Sequence, residues 1–294
     1  MRPDGTSSPG AGDQPHQPQG ESALGRARRV AVRVLALPAI LAFNFMLVVV
    51  LIDAAGRAGQ TQPLEPPGSP EARFGAEHPG ELVHLVGGVA ALAMGVGGLG
   101  GLVVRPQRAG SATQAGLAAI GWLLVSAVVG DPDNYGGQAG PVDVAFVVLT
   151  VPALCSALLA APWRAWRGAV PRPQFLWMAL AGVPWLWYGY QQGLMQRHTW
   201  PPLADPHHQA HWFVMSLAAV LIVLLAAGGS LHGRGWRVAT ATSGVSAIGI
   251  AVTSLLDLQA ASAMRSVWAA AALLWGALVL LLTRHAGRSE RLPS

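Results

Sequence analysis

A chain of 294 residues that is 52% hydrophobic and only 11% charged has the profile of a membrane-embedded protein, not of an ordinary soluble domain. All 19 basic residues are arginine, which reads as GC-rich codon usage; the net charge of +5 has a better account in membrane topology than in a nucleic-acid partner. The single cysteine, Cys155, lies inside an apolar run, so no intrachain disulfide can form and the residue reads as a small packed apolar group.

Residues 1–29 are rich in Pro, Gly, Ser and Gln, lack an apolar period and read as a disordered cytoplasmic tail. Arg26, Arg28, Arg29 and Arg33 precede the apolar run Val34–Ile52. That run is long for the core of a signal peptide, a long tail precedes it and no clean small-x-small cleavage site follows it, so it reads as a first transmembrane helix. Seven further apolar segments lie near 82–104, 112–130, 142–162, 174–194, 210–229, 236–256 and 264–283. Each is long enough to cross a hydrocarbon core of about 30 Å at about 1.5 Å per residue. Continuous runs of this length cannot be barrel strands, and helix lets the backbone satisfy itself in lipid. The expected fold is therefore all-α: a polytopic integral membrane protein of eight transmembrane helices. The patterns at 112–130 and at the Pro184-interrupted 174–194 are the weakest of the eight.

Arginine sets the expected orientation. With eight crossings the tail, 105–111, 163–173, 230–235 and the C-terminus share one side, and with their flanks they hold 15 of the 19 arginines. The other side has Arg57, Arg73, Arg197 and Arg265 but ten of the fourteen acids. The positive-inside rule then places both termini in the cytoplasm of a cell-membrane protein. Trp163, Trp166, Trp212 and Trp236 fall at segment ends, where an interfacial aromatic belt belongs.

Sliding the chain along itself by 126–127 residues aligns Glu81 with His208, His84 with His211, Asp131 with Asp257 and Ser126 with Thr253. Four spans per unit is an even number, so this predicts a 4+4 parallel internal repeat about an axis along the membrane normal. The halves are 30–168 and 169–285, with 286–294 a second cytoplasmic tail.

Imidazoles and carboxylates gather on the side opposite the arginines. Ala204–Trp212 brings His207, His208 and His211 to the start of one span, while Glu81 and His84 enter another. Residues three apart on a helix share a face, so Glu81 and His84 point together, as do His208 and His211. Asp131 and Asp257 end two further spans on the same side. Four helices meeting on the repeat axis would present Glu81, His84, Asp131, His207, His208, His211 and Asp257 to one another. That layout is similar to di-metal carboxylate bundles, with His-x-x-His in place of one Glu-x-x-His and Asp in place of the lone Glu residues. Such mixed ligands suit a divalent transition metal: zinc, iron, manganese or copper. His207-x-x-x-His211 before a long apolar run also resembles, over about two dozen residues, the membrane copper-handling assembly factors of terminal oxidases.

The resulting expectation is a metal-dependent membrane enzyme or metal-handling factor with its site at the extracytoplasmic face. A proton- or ion-coupled transporter using the same acids and histidines is the alternative from another class, and a non-catalytic accessory protein a third. The lipid bilayer is the one partner expected; nothing points to nucleic acid. Three weaker signals have plainer readings. Gly95-Val96-Gly97-Gly98-Leu99-Gly100 fits a dinucleotide fingerprint but sits mid-span, where close helix packing explains it. The series Thr240, Thr242, Ser243, Ser246, Thr253 and Ser254 reads as hydroxyls bonding back to their own helix. Trp185, Trp187, Tyr188 and Tyr190 read as a packing and interface wall.

Overall fold

The computed structural model describes residues 22–58, 81–129, 150–160, 173–198, 211–231, 235–258 and 262–289, without side chains at 42–58, 81, 129, 196–198, 211, 231 and 287–289. Every regular element among them is helical. In chain order these are α1 (Ala23–Ala58), α2 (Glu81–Val104), α3 (Ala109–Val129), α4 (Val151–Leu159), α5 (Pro173–Ala181), α6 (Val183–His198), α7 (His211–Gly228), α8 (Trp236–Leu256) and α9 (Ser266–Ser289). A 3-10 turn, Gly229–Leu231, follows α7, and Gly235 takes a left-handed φ of 100° to start α8, a conformation that favours glycine.

Four of these helices, over Leu82–Val104, Ala109–Val128, Trp236–Leu256 and Ser266–Ala286, are long and apolar enough to cross a bilayer, and Trp212–Gly228 is a shorter apolar helix. The span predicted at 112–130 is thus present as a full-length helix despite its weak pattern. Outward faces are as apolar as inward ones: Val34, Leu41, Val245, Leu274 and Leu281 are each about 60% exposed. Helices apolar on all sides belong in lipid, since water would leave an apolar surface of this extent uncompensated. The chain is an all-helical protein with the character of a membrane protein.

Helices α2, α3, α7 and α8 form the centre, with both α2 and α3 packed on both α7 and α8. Around them α1 bridges α2 and α4, and α4 returns to α3. On the other side α5 and α6 pack on α7, α8 packs on α9, and α9 reaches back to α5. Small residues let the backbones approach. A methyl group at Gly98 would meet the Ala115 backbone nitrogen at 2.5 Å, and one at Gly276 would meet the Gly244 carbonyl oxygen at 2.8 Å. The glycine-rich run of α2 is therefore a helix-crossing surface, as its mid-span position implied.

Polar side chains fasten the crossings. Gln114 Nε2 donates to the Met94 carbonyl at 2.9 Å, and Ser243 Oγ donates to the Ile222 carbonyl at 2.7 Å. Arg33 Nε donates to the Val103 carbonyl at 3.0 Å and Arg28 Nε to that of Leu159. Two guanidinium groups of α1 thereby cap the C-terminal ends of α2 and α4, where the helix dipole favours a cation.

The Pro-interrupted segment is two helices joined at Gly182. The Gly182 N–H bonds the Ala179 carbonyl at 3.0 Å, three residues back, which leaves the Met178 carbonyl without its usual donor. The indole of Trp275 on α9 donates to it at 2.9 Å. Pro184, which has no N–H, sits in the first turn of α6, where none is needed.

Candidate functional site

One polar network lies at the end of the bundle away from the arginine caps. His84 lies on the first turn of α2, half-buried, and its Nε2 shares a hydrogen bond with Ser262 Oγ. Ser262 is wholly buried in the connection between α8 and α9. Its carbonyl accepts a second hydrogen bond, from Tyr188 Oη on α6, at 2.7 Å. One serine therefore ties α2 to α6 through its side chain and its backbone. The His84 ring also meets the Trp212 ring edge-on, with centroids 6.4 Å apart. Trp212 is the second residue of α7, so the His84 turn and the His211 turn are neighbours.

Depths along the helices follow from the cross-contacts. A methyl group on Gly87 would strike the Met215 sulfur, and His84 meets Trp212, so parallel helices α2 and α7 lie in register at an offset of 128 residues. Antiparallel α8 meets α7 at Ser243 and Ile222. Eleven residues further, about three turns, Ser254 returns to the same face of α8 at the level of His211. Asp257 follows as the C-terminal cap residue of α8, half-buried, its N–H bonded to the Thr253 carbonyl at 3.0 Å.

Of the seven residues expected to gather, Glu81, His84, His211 and Asp257 belong to described elements, and their backbones share one end of the central helices. Side chains are described for His84 and Asp257 only; Asp131, His207 and His208 lie outside the described residues. Among the described residues no three His, Cys, Asp or Glu side chains stand close enough to hold a metal ion.

Ser262 and Tyr188 were not anticipated as partners of His84. Ser262 sits in a short connection, and its contact with His84 spans 178 residues of chain. The aromatic wall of α6 divides in two: Trp185 and Tyr188 turn inward, while Trp187 and Tyr190 are exposed. The α8 hydroxyls divide as well. Thr242 and Thr253 bond back to their own helix at 2.7 and 2.9 Å, as expected. Ser243 bonds across to α7, and Ser254 Oγ is buried with no hydrogen-bond partner among the described residues. Gln192 Oε1 on α6 is buried with none among the described residues either. A glutamine inside an apolar run is the sequence signal that could have flagged it.

The chain matches no protein-family model, no curated protein and no solved structure.

Proposed function

We propose that this chain is an eight-span membrane protein of two parallel four-helix halves, acting as a proton- or ion-coupled carrier with His84 at the seam. The observation that carries this reading is the contact from His84 through Ser262 to Tyr188. It is a partly buried, titratable link between a helix of the first half and two elements of the second. Carriers built from parallel repeats place their coupling sites where the halves meet, and histidine changes charge within the physiological pH range. Protonation of His84 converts Nε2 into an obligate donor and so changes what Ser262 Oγ can offer in return.

The packing supports the repeat. Each proposed half closes on itself, α1 to α4 in one and α5 to α9 in the other, and the halves meet through α2 and α3 on α7 and α8. The offset of 128 residues between α2 and α7 is close to the 126–127 of the sequence match. The arginine-capped end faces the cytoplasm on this reading, with both termini there, and the His84 end faces outward across the cell membrane.

The test is current across a solid-supported membrane carrying reconstituted protein. A pH jump should give a transient current in the wild type that His84→Ala abolishes. Silence under both pH and Na⁺ jumps would overturn the carrier.

A second reading has its own support. The neighbouring turns of His84 and His211, with Asp257 ending the adjoining helix, favour a divalent transition-metal site completed by Glu81, Asp131, His207 and His208. Such a metal would supply Lewis acidity or a metal-bound nucleophile to an enzyme, or be the cargo of a handling factor. Stoichiometric zinc, iron, manganese or copper in purified protein, lost on His84→Ala and His211→Ala, would favour it over the carrier.

A further inference from the structure

The arginines of α1 fall on two flanks. Arg28 turns towards α4, where it caps Leu159, and Arg33 turns towards α2, where it caps Val103. Arg26 stands seven residues before Arg33, two turns back on the same flank, with half-buried Arg29 between them. Arg26 and Arg33 are both exposed, and the bond from Arg33 uses only the Nε–H of its five donors. Arg105, exposed as well, follows the last turn of α2. Asp257 is the only acid among the described side chains, and it lies at the opposite end of the bundle.

An apolar face runs down from these arginines. Val30, Val34, Leu37 and Leu41 recur on one side of α1 and are 50–62% exposed. On α2, Val89, Ala93, Gly100 and Val104 share a side; Val104 is 70% exposed, and a methyl group at Gly100 would meet nothing within 4 Å. The two helices pack antiparallel with Arg33 level with Val103. Helical periodicity then puts both outward faces on the same side of the α1–α2 seam as Arg26 and Arg33. Bare at Gly100, that seam ends where apolar helix gives way to Arg105.

We infer that this seam binds an anionic phospholipid, its phosphate held by Arg26 and Arg33 and an acyl chain laid along Val34, Leu37, Gly100 and Val104. Guanidinium groups take phosphate oxygens in bidentate pairs, and one already fixed through Nε has less freedom to lose on binding. Basic pockets between membrane helices recognise lipid phosphates in this way. Long arginine side chains at the end of an apolar helix reach headgroup depth, where such phosphates lie. A phosphatidylcholine headgroup carries its own cation and offers these arginines no net charge. The site needs only a bilayer around the chain and stands apart from the carrier reading.

The experiment is thermal unfolding of the purified full-length chain in a neutral detergent, titrated with phosphatidylglycerol, phosphatidylcholine or inorganic phosphate. Phosphatidylglycerol should raise the midpoint by several degrees in a saturable way, and the other two should not. Arg26→Gln touches no side-chain bond described above, so it should leave the midpoint in detergent alone unchanged and remove most of the lipid shift. Arg28→Gln, which takes the same charge from the other flank, should keep that shift. Equal midpoints in phosphatidylglycerol and phosphatidylcholine overturn the site. So does a lipid shift that Arg26→Gln and Arg28→Gln reduce alike, the mark of diffuse attraction to positive charge. A shift that inorganic phosphate reproduces also overturns it, because a free anion is then the ligand.

Discussion

Substituting alanine for glycine in a helix normally stabilises it, by up to about 1 kcal/mol in helix propensity. At Gly98 the opposite outcome is expected. The added methyl would lie 2.5 Å from the Ala115 backbone nitrogen and 3.0 Å from its Cα. Backbone in a neighbouring helix cannot swing aside as a side chain can, so α2 and α3 must part by roughly 1 Å to restore ordinary van der Waals contact. Over-packing of this kind costs about 1–3 kcal/mol, which leaves a net loss of up to about 2 kcal/mol after the propensity gain. Gly100, two residues along the same helix, is the internal control, because a methyl there would meet nothing within 4 Å. Thermal unfolding of both variants in one detergent, read by a fluorescent C-terminal fusion, should place Gly98→Ala several degrees below the wild type and Gly100→Ala level with it or above. A Gly98→Ala midpoint at or above that of Gly100→Ala would refute the close crossing of α2 and α3.

Ser243→Ala removes the 2.7 Å bond to the Ile222 carbonyl. It should cost about 0.6–1 kcal/mol in chemical unfolding, a loss typical of interhelical bonds within membranes. Tyr188→Phe keeps the ring but strips the donor from the Ser262 carbonyl, so stability should fall by about 1 kcal/mol. The same variant should move the pH at which half the His84-dependent current is lost, a shift that packing damage alone would not produce. Trp275→Phe should accelerate amide exchange around residues 178–184 while leaving α2 and α3 protected.

Much of the architecture was legible because membrane helices announce themselves by length and apolarity. The run at 236–256 became α8 with the same bounds, and Asp257 was expected at its end and caps it. The depth match of α2 with α7 was also foreshadowed, since His84 and His211 fall within one residue of the observed 128-residue offset. The break at Gly182 was signalled only by Pro184, and its closure by Trp275 lies 97 residues away in sequence, beyond any local pattern. The wiring around His84 was not legible. Helical spacing placed His84 on the first turn of α2, but its partner Ser262 comes from a connection whose fold is decided by the helices on either side. Ser254 sat in plain view within a hydroxyl series, yet only three-dimensional packing distinguishes the serine that bonds backwards from the one left waiting.

The join between α5 and α6 carries a consequence for assembly. Its spare Met178 carbonyl is closed by an indole from α9, a helix synthesised after both. Until α9 arrives, the bent segment must hold that oxygen against lipid with no donor of its own. The α5–α6 join therefore reaches its final packing only once α9 is in place, and a truncation that spares α5 and α6 but removes α9 leaves them unfinished.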